Sequence, residues 1–388
     1  MKKIALVLFV LLASYVQAQP RLWNLEKLKE GRSLTSEAAK IIVRDANKLL
    51  NKSIETVMDK EMTAASGDKH DYMSSGRYWW PDPSKPNGLP YIRKDGVVNK
   101  EIDKLDRSPL SFLSKGVTNL ALAFHLMSDD KYASKAVQNL RIWFINKDTK
   151  MNPNMNFGQI IPGRNEGKGR GEGLIDTYSF VEMLDGIELL KKSDSFTKKD
   201  QQAINEWFTA YLNWMLTSDV AKEEREAKNN HGTAYDVQVV RYALFVGRED
   251  IAKKTIEEFA ARRLFTQIEP DGSQPLELER TTALGYSTFN LTHILDMCFM
   301  AKTMNIDLFN SKSSDGRSIT KAFDFITKFV GQPLSSFPYQ QIKDWDEVQL
   351  KLCWQLYRED KLIGKPLHKH LYDKYLNNST KEINGLIY

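Results

Sequence analysis

An all-α fold, with helices paired into an α/α toroid or incomplete α/α barrel, is what this sequence predicts. Three observations carry it. Apolar residues recur at spacings of three and four in stretch after stretch; alternating, strand-like runs are scarce; and the helical stretches have similar lengths and follow one another in pairs joined by loops.

Residues 1–18 read as a targeting signal and not as part of the fold. Lys2 and Lys3 form a basic start, residues 4–12 form an apolar run too short for a stable membrane anchor, and Val16-Gln17-Ala18 offers small residues for a signal peptidase. The mature chain is expected to begin near Gln19 and to be periplasmic or secreted. No later stretch is long and apolar enough to cross a membrane. Residues 19–388 read as one catalytic domain, with no linker and no strong internal repeat.

Helical periodicity then dominates. Residues 36–51 form the first stretch; Leu113, Val117, Leu120, Ala121 and Phe124 mark one face of the next, and residues 131–145 follow. Phe180, Met183, Leu184 and Ile187 repeat the pattern. So do Ile204, Trp207, Phe208, Tyr211, Trp214 and Met215, behind Thr197 and Asp200 in the positions of a capping box. Residues 251–267, 288–303, 319–330 and 346–357 complete the predicted helices. With 41% hydrophobic and 11% aromatic residues, the chain can bury a large core.

Bulk chemistry narrows the partners. The formal charge of +5, which includes the departing Lys2 and Lys3, mildly favours a polyanion. Cys298 and Cys353 sit in apolar helical patterns, where a disulfide and two buried free thiols are both open. His368 and His370 flank one lysine in a polar tail and do not make a zinc site. Neither a metal nor a cofactor is expected, and neither nucleic acid nor membrane is an expected partner of the mature chain.

Two long loops break the helical rhythm, and loops of that length in a compact domain are usually functional. Residues 78–101 carry Tyr78, Trp79 and Trp80, then four prolines and the turn pairs Asn87-Gly88 and Asp95-Gly96. Aromatic faces of this kind stack on sugar rings, and Arg93 or Lys94 can meet carboxylates; the plainer reading has Trp79 and Trp80 plugging one end of the barrel. Residues 151–173 carry Asn154, Asn156, Gln159, Arg164, Lys168, Arg170 and Glu172 among glycines that let backbone approach a ligand. From Gly163 to Lys168 the chain approaches the phosphate-loop pattern but is one residue short between its glycines, Gly169 replaces the hydroxyl residue and no strand clearly precedes it. A polar, partly basic rim of a polysaccharide groove is the preferred reading.

The stretch from Asn229 to Asp236 and that from Arg280 to Tyr286 carry the chemistry. Together they offer amide, imidazole, guanidinium and phenol, a set that needs no carboxylate. Such groups suit a reaction in which a substrate carboxylate is neutralised before a carbon-bound proton leaves. That reaction is β-elimination from a uronic acid polymer.

Tyr78-Trp79-Trp80-Pro81-Asp82-Pro83, Asn229-Asn230-His231-Gly232, and Glu279-Arg280 followed by Tyr286 resemble the alginate lyase superfamily of α/α toroid polysaccharide lyases. The likeness is closest to polysaccharide lyase family 38, with family 5 alginate lyases related. It implies metal-independent cleavage of 1,4-linked uronans. On that resemblance Asn230 is the amide neutraliser and Arg280 the bidentate charge partner of the substrate carboxylate. In mannuronate or glucuronate the C5 proton and O4 share a face, so Tyr286 can act as base and then acid; in guluronate they oppose, and His231 becomes the base with Tyr286 the acid.

Duller roles stand beside these. Arg280 can simply pair with Glu277 or Glu279, Tyr286 can line the barrel, and Asp236 can orient a neighbour. Tyr78, Trp79, Trp80, Arg93, Gln159, Arg170, Asn229 and Tyr235 are expected along the substrate. The expected substrate is alginate, mannuronate-rich, with glucuronan second. An inverting glycoside hydrolase using Glu172 with Asp176 or Asp236, and a non-catalytic uronan-binding protein, are the rivals.

Overall fold

The computed structural model describes residues 19–30, 37–100, 104–376 and 386–388. The predicted signal peptide lies outside them. After a short α1 (Leu25–Glu30) and α2 (Glu37–Leu50), the helices alternate between an inner and an outer layer. The inner helices are α3 (Arg107–Met127), α5 (Phe180–Leu190), α8 (Asn230–Phe245), α12 (Ala283–Thr303) and α14 (Trp345–Ile363). Each packs on the next, α3 on α5, α5 on α8, α8 on α12 and α12 on α14.

Between them run the outer helices α4 (Asp130–Leu140), α6 (Lys198–Thr217), α9 (Glu249–Phe259) and α13 (Ile319–Thr327). The short helices α7 (Asp219–Glu226), α10 (Phe265–Gln267), α11 (Pro275–Leu278) and α15 (Lys369–Tyr372) fill the connections. This alternation is the expected α/α toroid.

Burial explains the layers. Outer helices are amphipathic, with one apolar stripe: α9 buries Ala252, Ile256 and Phe259 and leaves its other face to solvent. In α8 every residue except His231 is buried. Such a helix has no stripe to read, and α8 is the element that periodicity missed. One hydrophobic cluster runs from Leu22 to Ile387. Asp185 of α5 ties the chain's start into it, accepting the backbone N–H groups of Arg21, Leu22 and Trp23 at 2.8, 2.7 and 2.9 Å while pairing with Arg241 at 2.8 Å.

The predicted elements otherwise stand with shifted ends. The capping box forms, Thr197 and Asp200 bonding each other's backbone at the start of α6. Predicted helix 131–145 ends in a π turn, Arg141–Ile145, and 251–267 is interrupted by one, Ala260–Leu264, before it closes on α10. The helix expected from Thr288 begins earlier, at Ala283, so Tyr286 is already on α12. Cys298 and Cys353 are buried free thiols. His368 bonds Glu359 at 3.1 Å. No helix among the described residues is long and apolar enough to cross a membrane.

Both long loops fold over one end of the inner layer. In the first, β2 (Trp79–Trp80) pairs antiparallel with β3 (Ile92–Arg93). In the second, β4 (Phe157–Ile160) pairs parallel with β1 (Met73–Ser75). A short strand therefore does precede the glycine-rich stretch, which continues into a 3-10 segment, Gly171–Ser179.

Candidate active site

The Asn229-Asn230-His231 run is a helix start. Asn229 caps α8 in extended backbone, its side-chain oxygen accepting from the His231 amide at 3.2 Å. Asn230 and His231 thus sit at the positive end of the helix, where negative charge is welcome. Asn230 is fully buried, and Glu277 on α11 accepts both its backbone N–H and its Nδ2 at 2.7 Å. A carboxylate can only accept here, so the amide nitrogen must face Glu277. The Asn230 Oδ1 is buried with no protein partner among the described residues.

His231 Nδ1 lies 2.7 Å from Glu224 Oε1 on α7. Burial works against a charged ring, but Glu224, helped by Glu172 and Glu277, outweighs it and lifts the His231 pKa above the ordinary 6.5. The Nδ1 proton belongs to the Glu224 bond, which leaves Nε2 as the ring atom free to meet a ligand.

Arg280 and Tyr286 form one unit. The Arg280 guanidinium stacks on the Tyr286 ring, 3.7 Å from its centroid, and Nη2 donates to the hydroxyl at 2.7 Å. That hydroxyl donates onward to Tyr78 at 2.9 Å. Asp95 takes the Nε/Nη2 edge of Arg280, with Nε at 3.2 Å and Nη2 at 2.6 Å. Burial and the Tyr78 phenol push Tyr286 far above the phenol range, more than Arg280 can pull it down.

Glycines bring the second loop against this centre. A Cβ on Gly173 would stand 2.5 Å from the Gly158 carbonyl, so the two backbones can touch only as glycines. That contact sets Gln159 beside Arg170, whose Nη2 donates to its Oε1 at 2.8 Å while Nη1 pairs with Glu172 at 2.8 Å. The guanidiniums of Arg164 and Arg170 lie 5.0 and 5.7 Å from the Trp79 ring centre.

Most of these groups border one cavity of about 1210 Å³, with Asp95, Glu277 and Arg164 outside its lining. It exceeds the about 300–1,000 Å³ of small-ligand pockets and has room for several linked sugars. Asn229, Asn230, His231, Arg280 and Tyr286 line it together with Tyr78, Trp79, Arg93, Gln159 and Arg170.

The family profile of alginate lyases matches residues 56–336 of this chain. The chain belongs to the alginate lyase family. It is also similar to solved structures. An alginate lyase from Bacteroides ovatus is 52% identical, with a TM-score of 0.92 over 95% of this chain and 98% of that one. The alginate lyase A1-III from Sphingomonas species A1 shares the fold at 14% identity, with a TM-score of 0.52 over 84% of this chain and 89% of its own. A histidine-to-alanine form of A1-III complexed with a tetrasaccharide aligns at 13% identity, with a TM-score of 0.56 over 87% and 91% of the two chains. No relative was found among curated proteins. Family membership, with the 52% identical structure, makes the protein a polysaccharide lyase.

Two residues expected along the substrate lie elsewhere in this lyase. Tyr235 is buried in α8, its hydroxyl donating to the Met215 carbonyl at 2.8 Å. Trp80 alternates with Trp79 along β2 and does not line the cavity; its Nε1 donates to Val97 and Lys94 covers its ring. Arg280 pairs with Asp95, not with Glu277 or Glu279, and Asp95 occupies its Nε/Nη2 edge, so the bidentate bond expected to the substrate carboxylate cannot use that edge. Asp236 is buried against Arg262 and Arg263, so it cannot serve a hydrolase.

Three carboxylates at the centre had no reading as site residues: Asp95, Glu224 and Glu277. Arg77 and Lys228 also line the cavity, both exposed. Their only sequence signal is adjacency, Arg77 to Tyr78 and Lys228 to Asn229.

Proposed function

We propose that this lyase cleaves the 1,4-linked uronan alginate by β-elimination, with mannuronate blocks preferred. The carrying observation is the Tyr286 hydroxyl, held by Arg280 at 2.7 Å and Tyr78 at 2.9 Å on the same cavity as the start of α8. The names of the similar structures support the substrate.

The roles follow from the electrostatics. Ionised, the sugar carboxylate would oppose carbanion formation at C5. His231, whose pKa Glu224 raises, serves as a cation with its Nε2 on that carboxylate, aided by Nη1 of Arg280, the Asn230 Nδ2 proton that Glu277 leaves over and the positive end of α8. A histidine spent on neutralisation is not the base. Tyr286 then takes the C5 proton and returns one to O4, and a single group can do both only where the two lie on one face, as in mannuronate. The phenol's raised pKa in the free protein suits the acid step. Its deprotonation leans on Arg280, whose Nη2 donates to the same oxygen at 2.7 Å.

Hydrolysis is poorly supported. Asp176 already receives Arg107 at 2.7 Å, Tyr72 at 3.0 Å and Ser74 at 2.5 Å, and Glu172 is paired with Arg170. The basic start of the chain and its cleavage-site residues support export to the periplasm or beyond. Incubating the protein with polymannuronate, polyguluronate and glucuronan, and following ultraviolet absorbance of unsaturated ends, tests the reading. Absorbance growing fastest on polymannuronate is expected; reducing ends without absorbance would refute elimination.

A further inference from the structure

Asp95 lies 185 residues before Arg280 in the chain yet meets it edge to edge. The first loop delivers it. Asp95 accepts from Arg280 Nε and Nη2 at 3.2 and 2.6 Å, from the Thr281 amide at 3.2 Å, from Thr281 Oγ1 at 3.0 Å and from Arg93 Nη2 at 2.8 Å. Gly96 makes the approach possible: at φ +74° it presses on Thr281, where a Cβ would come within 2.5 Å of Oγ1. The carboxylate therefore fixes both the rotation of the guanidinium and the seat of the loop that bears Tyr78.

A guanidinium has five N–H donors in a rigid plane. With the Nε/Nη2 edge on Asp95, the second Nη2 proton points to Tyr286 and only Nη1 stays open. We propose that Asp95 is a positioning residue of the elimination: it holds Arg280 so that Nη2 meets the Tyr286 hydroxyl and Nη1 alone is left for the substrate carboxylate. The inference rests on Tyr286 as the base and acid. The groups acting on that phenol are Tyr78 from the turn before β2, Arg280 from the segment before α12, and Asp95 behind Arg280. Asp95 opposes formation of the phenolate while it aligns the cation that favours it.

Asp95→Asn and Asp95→Glu test this through the pH profile of kcat on polymannuronate. In D95N the guanidinium loses its counter-charge and its fixed rotation. Its kcat should fall about 10²-fold, as for a misplaced catalytic group. The limb that reports the phenol should move to lower pH by about one unit, since a negative charge near it is gone. In D95E the charge stays, so the limb should hold its wild-type position while kcat falls less. A D95N limb that does not move, or a D95E limb that moves as far as a removed charge would take it, overturns the proposal. Either variant decides alone if the other fails to fold. Absence of unsaturated product from the wild type would instead defeat the lyase reading itself.

Discussion

Arg280 sits over the ring of Tyr286, 3.7 Å from its centroid, while its Nη2 donates to the same residue's hydroxyl at 2.7 Å. The contact orients the phenol from two directions, and Tyr78 receives its proton side at 2.9 Å. Removing only the oxygen leaves the stacked ring in place. Tyr286→Phe should therefore lower kcat about 10²–10⁴-fold, the range for a general acid–base group, with KM and melting temperature close to wild type. Initial rates of unsaturated-product formation check it. A variant retaining a tenth of the activity would remove Tyr286 from the chemistry.

The bond between His231 and Glu224 makes a separate prediction. Burial alone would hold the imidazole below its ordinary pKa; Glu224 at 2.7 Å is the main group lifting it, with Glu172 and Glu277 assisting. Glu224→Gln removes the charge but keeps an acceptor for Nδ1. The His231 pKa should fall, and with it the fraction of imidazolium at neutral pH. If the cation neutralises the substrate, the limb of the pH profile that reports His231 moves to lower pH. Histidine resonances followed by NMR through a pH titration report the pKa directly, and an unchanged value would contradict the assignment.

How much of this was legible in the sequence depends on the distance over which each partner acts. The four groups that meet at the cavity were, because Asn230 adjoins His231 and Arg280 lies six residues before Tyr286. The amphipathic outer helices were too, since one face of each meets solvent. The inner helix α8 was not: buried on every side but His231, it shows no stripe. The carboxylates were invisible for a different reason. Asp95, Glu224 and Glu277 reach Arg280, His231 and Asn230 only after folding, and charged residues in isolation read as solvated surface. Tyr235 failed because helical neighbourhood to His231 does not set direction, and α8 turns it into the core.

Glu277 should be indispensable to the amide it clamps. It accepts the backbone N–H and Nδ2 of Asn230, both at 2.7 Å, in a site with almost no solvent. Glu277→Ala leaves two buried donors unpaired, a cost of about 1–3 kcal/mol each if water does not enter. Glu277→Gln keeps the shape but can orient an acceptor toward only one donor. The order of melting temperatures should be wild type, then E277Q, then E277A. Activity should fall in both, because the amide loses its fixed orientation. A fully active E277A would mean that Asn230 needs no clamp and contributes little to the reaction.

Acid should unseat the first loop before it unfolds the protein. Although burial pushes the Asp95 carboxyl upward, the donors from Arg280 and Thr281 prevail, and its folded pKa lies well below the ordinary 3.8. A carboxylate depressed on folding stabilises the native state above its unfolded pKa. That contribution disappears as pH drops below 3.8 toward the folded value, because protonating Asp95 then costs the bonds to Arg280 and Thr281. Asp95→Asn has no such proton to bind. The difference in melting temperature between wild type and D95N should be constant from about pH 5 to 7 and shrink between about pH 4 and 2. Because the pair is partly open to solvent, added salt should narrow the gap at neutral pH as well. A difference that is flat down to pH 2 would mean that Asp95 titrates alike folded and unfolded, and that its grip on Arg280 is too weak to hold the loop.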